Sequence, residues 1–377
     1  MNLNRHSRMA SAAAIGALAL TLAACGSDNA VQSDTTPSGS ASATTDAPAS
    51  TLSGELAGSG SSAQESAMEA WRAGFQTANP DVTVSYDPIG SGGGRTAFLE
   101  GGVLFAGTDS ALSTDELAQA KTRCFGTDAI DVPVYVSPIA VIFNIDGVKS
   151  LNMSAATIAK VFNGTITSWD APEIKAENPD ATLPSLAITP VHRSDDSGTT
   201  KNFTDYLKKA SDGAWADDAN GVWPLQGGES GAQTSGLLQA VQGGQGTIGY
   251  ADASKAGDLG IVSIKVGDAW QAPSEEGAAK VLDVSPRDDT RGANDIVVKV
   301  DRATTEAGAY PLILVSYAVA CEGYDQQADA DLVKAFLTYI ASSEGQQAAQ
   351  SAAGSAPISE ALSADVQKAI ESISLSS

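Results

Sequence analysis

From about residue 52 to the C-terminus, short apolar runs alternate with stretches that carry apolar residues at helical spacing. This alternation restricts the fold strongly, because strands that alternate with helices build an α/β protein. The pattern predicts strands at residues 82–86, 134–144, 187–192, 247–250, 296–300 and 312–320. It predicts helices at residues 63–77, 201–209 and 330–349, whose apolar stripes we interpret as core faces. The region has about 325 residues, enough for two ordinary domains.

Residues 1–24 have the layout of a secretory signal peptide. Arg5 and Arg8 precede an apolar stretch at residues 9–22, which is too short to span a bilayer as a mature helix. Small residues come directly before Cys25, and this arrangement resembles the bacterial lipobox, in which the cysteine is lipidated and becomes the new N-terminus. A cleaved signal without lipid is the alternative. The predicted location is the outer face of the cell membrane, with the lipid as anchor.

The composition of residues 25–51 predicts a disordered tether. After Cys25 these residues are mostly Ser, Thr, Ala, Asp and Pro, with almost no large side chain to bury. The whole sequence is acidic, with 22 Lys and Arg against 45 Asp and Glu and a formal net charge of −23 at pH 7. This charge argues against nucleic acid and anionic membrane surfaces as partners. A buried anion site stays possible, because charges beyond about 10 Å are screened and the nearest donors decide.

Three turns rich in Ser and Gly stand directly before predicted helices. They are residues 58–62 (Gly-Ser-Gly-Ser-Ser), 90–94 (Gly-Ser-Gly-Gly-Gly) and 197–199 (Ser-Gly-Thr). Hydroxyls, free N–H groups and the positive end of a helix bind tetrahedral oxyanions, and the fork of Arg193 adds to the third turn. Ser and Thr at a helix start are also ordinary N-caps, and Ser62 with Glu65 fits a capping box. The second turn resembles a phosphate-cradling loop but lacks the Gly-Lys-Ser/Thr of a Walker A motif.

Asp109 changes the meaning of these turns. A carboxylate repels an anion unless the anion carries a proton that the carboxylate can accept. Inorganic phosphate keeps a proton near neutral pH and sulfate does not. A fixed acceptor in a dry pocket therefore favours phosphate and rejects sulfate, with discrimination of several orders of magnitude. Asp109 alone would be interpreted as a solvated loop acid, but beside three donor turns it predicts a phosphate site.

Four motifs resemble the substrate-binding lipoproteins of the phosphate-specific ABC transporter. They are Leu-Ala-Gly-Ser-Gly-Ser-Ser (56–62), Ile-Gly-Ser-Gly-Gly-Gly (89–94), Phe-Ala-Gly-Thr-Asp (105–109) and Arg-Ser-Asp-Asp-Ser-Gly-Thr (193–199). The resemblance runs from Leu56 to the C-terminal helix. It implies a binding protein and not an enzyme, without a cofactor, which captures inorganic phosphate for a membrane permease and works as a monomer. The family often has Thr-Phe where this chain has Ser62-Ala63, which keeps the hydroxyl and loses the aromatic ring.

The resemblance also implies a fold and a ligand set. The fold is the type II periplasmic-binding-protein fold, in which two α/β lobes are joined by two crossing strands, here residues 134–144 and 312–320, with a ligand cleft between. The first lobe would hold residues 52–136 plus 313–377, and the second residues 137–312. Asp109 would accept the phosphate proton and Asp195 would orient Arg193. The implied phosphate ligands are Ser62, Ala63, Ser91, Asp109, Arg193, Ser197, Gly198 and Thr199.

Several alternatives stay open from the residues. If Cys25 carries lipid, Cys124 and Cys321 are left to form a disulfide, or they are two buried thiols. The same fold binds other oxyanions, such as sulfate or molybdate, and a surface sensor would keep the fold without transport. A hydrolase that uses Ser197 with the single mature histidine, His192, is disfavoured by the short spacing. No metal site is expected from one histidine and no free cysteine cluster.

Overall fold

The computed structural model describes residues 51–376. The predicted signal peptide, Cys25 and nearly all of the predicted tether lie outside the described residues. Within this range, none of the helices combines the length and the apolar character that a membrane span requires.

Strands and helices alternate along the described chain, as the apolar pattern predicts. The strands are β1 (Gly54–Gly60), β2 (Val82–Asp87), β3 (Phe105–Thr108), β4 (Ala129–Asn144), β5 (Ser150–Met153), β6 (Thr189–Arg193), β7 (Glu229–Gly231), β8 (Thr247–Asp252), β9 (Gly260–Val266), β10 (Ala269–Gln271), β11 (Ile313–Cys321), β12 (Gly323–Tyr324) and β13 (Ser374–Leu375). The helices are α1 (Glu65–Ala78), α2 (Ser91–Leu99), α3 (Thr114–Arg123), α4 (Ala155–Phe162), α5 (Pro172–Glu177), α6 (Gly198–Ala210), α7 (Gln233–Gly243), α8 (Glu275–Val284), α9 (Gln327–Ile340), α10 (Ser343–Ala353) and α11 (Glu360–Glu371).

Two long buried strands carry the sheet from one half to the other. The main order of strands is β2-β1-β3-β11-β4-β8-β6-β7, and β4 also pairs with β9. Up to Pro138, β4 pairs antiparallel with β11; from Ile139 onward it pairs with β8. Nearly all of β4 and all of β11 are buried, as expected of strands covered on both faces. These are the two crossing strands that the resemblance implies, and the α/β fold class is confirmed. The lobe boundaries stay predictions.

Each half of the sheet has its own group of packed aromatic rings. On the side of β1 to β3, the ring of Phe336 packs 5.3 Å from Phe75 and 5.4 Å from Phe105, centroid to centroid. On the side of β6 and β8, Phe203 stacks on Tyr250 at 4.3 Å and lies near other aromatic rings. Both groups of rings belong to one hydrophobic core, which continues through the residues of the crossing strands.

The predicted strand at residues 296–300 is wrong. Only Val298 forms an isolated bridge there, with Arg287. The backbone N–H groups of this segment donate to acceptors on different elements. The N–H of Ile296 donates to the carbonyl of Asp131 in β4, and the N–H of Val298 donates to the hydroxyl of Tyr317 in β11. Apolar residues here cover a neighbouring strand instead of joining a ladder.

The predicted helix at residues 330–349 is two helices, α9 and α10. Ser342 lies between them, and its hydroxyl accepts the N–H of Gly345, so it is the N-cap of α10. The carbonyl of Gly345 also accepts the indole N–H of Trp71 at 2.7 Å. The apolar spacing continues across the break, which is why periodicity alone misses it.

Cys124 and Cys321 form a disulfide between the C-terminal end of α3 and the end of β11, with both side chains buried. The two residues are 197 positions apart in the sequence. A cross-link that closes such a long loop restricts the unfolded chain, and disulfides typically contribute about 2–4 kcal/mol to the free energy of unfolding.

Candidate functional site

The predicted ligands lie where strands end and helices begin. Asp109 follows β3 directly, and Arg193 is the last residue of β6. Helices α2 and α6 begin at Ser91 and Gly198, where the N–H groups of the first turn have no acceptor within the helix. In open α/β sheets, ligands bind outside the carboxyl ends of the strands, and these residues meet at that edge.

The carboxylate of Asp109 is the centre of the site and is only 4% exposed. Its Oδ1 accepts a short hydrogen bond of 2.6 Å from the hydroxyl of Ser316 in β11. Its Oδ2 accepts two longer ones, from Ser91 at 3.3 Å and Thr199 at 3.4 Å. One carboxylate oxygen is therefore held firmly, while the other faces two hydroxyls that can rotate towards a ligand.

Burial raises the pKa of Asp109 above its ordinary value. Hydrogen bonds from Ser316 and Ser61, the positive charge of Arg193 and a hydrogen bond from Ser91 oppose this rise without cancelling it. The hydrogen-bond donors around the carboxylate are neutral hydroxyls, which stabilise its charge less than a directly paired cation would. The result is a carboxylate with a raised affinity for a proton, as a group that accepts a proton from its ligand requires.

Gly198 allows α6 to come close to the opposite side of the site. A Cβ atom at this position would lie 2.5 Å from Oγ of Ser91 and 2.6 Å from Cβ of Asp109. Both distances are shorter than real carbon contacts, so only glycine permits this approach. The first turn of α6 thereby meets α2 and the end of β3 directly.

Arg193 is 3% exposed and is fixed by Asp195. Its Nε donates to Oδ1 of Asp195 at 2.8 Å, and Nη2 donates to Oδ2. The same Oδ1 accepts the backbone N–H of Gln233 at 2.9 Å. Burial would raise the pKa of Asp195, but the hydrogen bond and charge of Arg193 and the N–H of Gln233 outweigh it and lower that pKa. The carboxylate of Asp195 thus holds the guanidinium of Arg193 by two hydrogen bonds.

Ser62, Ala63 and Ser197 have other partners in this structure. The hydroxyl of Ser62 lies 2.9 Å from that of Thr234 and accepts its N–H. The N–H of Ala63 donates to the hydroxyl of Ser61 at 3.1 Å, and Ser197 is the N-cap of α6. A ligand would have to share or replace these bonds.

The capping box predicted for Ser62 and Glu65 is wrong. Helix α1 begins at Glu65 after Gln64, with no side-chain cap. The hydroxyl of Ser62 is drawn instead to Thr234 of α7, a contact that depends on the tertiary fold.

Residues 90–94, which resemble a phosphate-cradling loop in sequence, lie at the start of α2, and their role in phosphate binding stays a prediction. Residues 91–94 are the first turn of α2, and the N–H of Gly92 donates to the carbonyl of Asp196 at 3.0 Å. A Cβ at Gly94 would lie 2.3 Å from Cα of Gly60. These glycines thus serve close backbone packing, and Ser91 is the member of the turn that reaches Asp109.

Three important residues are absent from the predicted set. Ser316 holds Oδ1 of Asp109, and its signal is a single polar side chain inside an otherwise apolar buried strand. Asn202 donates to the carbonyls of Asp109 (2.6 Å) and Gly198 (2.9 Å), and its Oδ1 accepts from the guanidinium of Arg302. Arg302 is buried and also donates to two carbonyls at residues 311 and 313. Sequence carries no signal for these last contacts, because they depend on topology.

The hydrolase alternative finds no support in the geometry. Nδ1 of His192 lies 2.8 Å from the carbonyl oxygen of Arg193, and its ring stacks on Trp223 at 5.1 Å. The hydroxyl of Ser197 is engaged as the N-cap of α6. Within residues 51–376, no three His, Cys, Asp or Glu side chains gather as metal ligands would.

Comparisons with known proteins agree on one family. Residues 38–344 match the PBP superfamily domain. The chain is 37% identical to "Phosphate-binding protein PstS 3" of Mycobacterium tuberculosis over 89% of this chain and 90% of that protein. It is 36% identical to "Phosphate-binding protein PstS 2" of the same organism over 85% and 87%. A solved high-affinity periplasmic phosphate-binding protein bound with phosphate superimposes with a TM-score of 0.68 at 20% identity, covering 84% of this chain and 93% of that one.

The raised pKa of Asp109 predicts a gain in stability when its charge is removed. The pKa of Asp109 in the folded protein lies above the ordinary value of 3.8. The free energy of unfolding therefore falls as the pH rises from that ordinary value through the folded-state pKa, because the folded protein must then bury a charged carboxylate. We expect ligand-free Asp109→Asn to melt at a higher temperature than the wild type at neutral pH, with the difference vanishing in acid. Calorimetry across pH checks this, with Asp180→Asn, on the surface, as control. A lower melting temperature at neutral pH would contradict it.

Proposed function

This chain belongs to the PBP superfamily and, within it, to the phosphate-binding proteins of the PstS type. From that membership, we propose that it captures inorganic phosphate outside the cytoplasm and delivers it to an ABC transporter permease for import. The observation that carries the proposal is the buried carboxylate of Asp109, whose Oδ2 is shared by the hydroxyls of Ser91 and Thr199. That oxygen has the partners expected of an acceptor for the proton of a phosphate ion.

The ligand set provides donors for the remaining phosphate oxygens. The hydroxyls of Ser91 and Thr199 rotate from Asp109 to the ligand, and the N–H groups at the start of α6 point towards an anion there. Arg193 contributes charge-assisted hydrogen bonds from a guanidinium that Asp195 already fixes in orientation. Sulfate offers no proton, so it would leave Oδ2 of Asp109 facing another acceptor.

Binding is coupled to closure of two lobes in this proposal. Residues 52–136 with 313–377 form one lobe, and residues 137–312 form the other. Support comes from β4, which changes its partner from β11 to β8 between Pro138 and Ile139. Ser91 and Asp109 belong to the first lobe and α6 to the second, so a ligand that both sides contact favours the closed state.

The location follows from the N-terminal sequence. We propose that Cys25 is lipidated and holds the protein on the outer face of the cell membrane, where it works as a monomer beside the permease. A disulfide between Cys124 and Cys321 fits an oxidising compartment outside the cytoplasm.

The first test is isothermal titration calorimetry of the phosphate-stripped protein with phosphate and then with sulfate. We expect tight one-to-one binding of phosphate and no heat from sulfate. Asp109→Asn should weaken phosphate binding by about 10- to 100-fold, the cost of an unsatisfied buried polar group, and make sulfate binding measurable. Unchanged selectivity in the variant would remove the proton-acceptor role, and wild-type binding of sulfate alone would replace phosphate with another oxyanion.

Gly198→Ala tests closure separately from ligand chemistry. The new methyl group would clash with Ser91 and Asp109 across the site, so the two sides cannot meet fully. We expect a folded protein whose phosphate affinity falls about tenfold or more, equivalent to about 1.4 kcal/mol. Gly243→Ala is the matched control, since a methyl group there meets no atom within 4 Å. Equal affinities of both variants would argue against closure at Gly198.

The membrane anchor is tested by Cys25→Ala. Without the thiol, the lipid cannot attach, so the protein should be released into the medium or stay unprocessed at its signal. Cell fractionation and the mass of the mature N-terminus provide the measurement. A variant that remains fully bound to the membrane and is correctly cleaved would exclude lipid at this cysteine.

A further inference from the structure

A groove of about 470 Å³ opens beside Asp109. Its walls are the loop at residues 109–114, one side of α6, the segment at residues 297–300 and part of β11. Asp109 belongs both to this groove and to the candidate anion site. The groove therefore borders the candidate anion site at Asp109.

Cations outnumber acids among the charged side chains of the groove. The cations are Lys201, Lys209, Arg291, Lys299 and Arg302, against the acids Asp109 and Asp205. The chain as a whole has a formal net charge of −23, which repels a dianion at long range. Screening limits that repulsion to about 10 Å, so the side chains of the groove control the last part of the approach.

Four of these five cations are paired with carboxylates, and Lys209 and Arg302 share Asp205. The pairs are Lys209–Asp205 (2.9 Å), Arg302–Asp205 (3.1 Å), Lys299–Asp288 (2.9 Å), Arg291–Asp131 (2.6 Å) and Arg291–Asp295 (2.7 Å). Lys201 is different, because across the described residues its ammonium group takes part in no ion pair and no hydrogen bond. Among the five cations that line the groove, Lys201 is therefore the one whose ammonium group no carboxylate holds in place.

The surroundings of Lys201 disfavour its charge while the site is empty. It lies in the first turn of α6, at the positive end of the helix. Burial and the charge of Arg95 lower its pKa, and the acids Glu116, Asp196 and Asp205 oppose this only in part. Arg95 already pairs with Glu116 and Asp196. An anion that enters the groove would relieve this unfavourable placement.

We propose that Lys201 recruits phosphate into the groove and passes it towards Asp109, as a capture residue outside the set of phosphate ligands. The inference rests on the proposed function, and the ion that Lys201 attracts is monohydrogen phosphate. An unpaired cation at the entrance raises the local concentration of the anion and thereby the rate of association. Its contribution to holding the bound ion is small, because Arg193 and the hydroxyls do that.

Stopped-flow tryptophan fluorescence on the phosphate-free mature protein tests the proposal with inorganic phosphate. The variants are Lys201→Gln, Lys201→Arg, which keeps the charge, and Lys208→Gln. Lys208 lies on the same helix outside the groove and pairs with Asp218, so its loss changes the net charge equally. Association and dissociation rates are measured at low and at physiological ionic strength. Melting temperatures are compared first, and Lys201→Gln should be at least as stable as the wild type, because it removes an unpaired charge that its surroundings disfavour.

We expect Lys201→Gln to lower the association rate constant about 3- to 10-fold at low ionic strength, with a smaller difference as salt is added. The dissociation rate constant should change little, Lys201→Arg should restore the wild-type rate, and Lys208→Gln should resemble the wild type. An unchanged association rate in Lys201→Gln, or an equal loss in Lys208→Gln, would overturn the proposal while phosphate binding stands. A wild-type protein that does not bind phosphate at all would overturn the proposed function and this inference with it.

Discussion

A carboxylate that is buried without a cation of its own is the constraint around which the site is built. Asp109 takes hydrogen bonds from β11, α2 and α6, through the hydroxyls of Ser316, Ser91 and Thr199. Burying a charge costs free energy unless hydrogen bonds compensate for it, so these elements must meet at one point. Neutral donors compensate only in part, so the carboxylate has a raised affinity for a proton. In the function that we propose, this carboxylate distinguishes a protonated oxyanion from an unprotonated one.

The three Ser/Gly turns resemble one another in sequence but perform different physical tasks. In the first, Ser62 bonds to Thr234 of α7. In the second, the glycines let α2 approach β1 more closely than any side chain would permit, as the position of Gly94 demonstrates. In the third, Gly198 brings the start of α6 against Asp109. A helix start that carries Ser and Gly therefore indicates close packing as readily as ligand binding, and the neighbouring acid is what separates the two cases.

The long elements of the fold were predictable because their apolar spacing is strong, and β4 and β11 are examples. Strand β1 was missed because five of its seven residues are Gly, Ala or Ser and Leu56 is its one large apolar residue. The break at Ser342 was missed because apolar spacing runs across it. For the site, local motifs identified Asp109, Arg193 and α6, and the structure brings Ser91, Thr199 and Asp109 into contact. Asn202 and Arg302 escaped prediction because their bonds join segments about 100 residues apart.

The position of β11 in the sheet has a consequence for how the chain folds as it is made. This strand lies between β3 and β4, although about 170 residues of sequence separate its start at Ile313 from the end of β4 at Asn144. Until β11 has emerged, β3 and β4 each expose an open edge, which is a template for pairing with another chain. The N-terminal half therefore cannot complete its own sheet during synthesis, and these edges of the nascent protein must stay unpaired until the last sixth of the chain arrives.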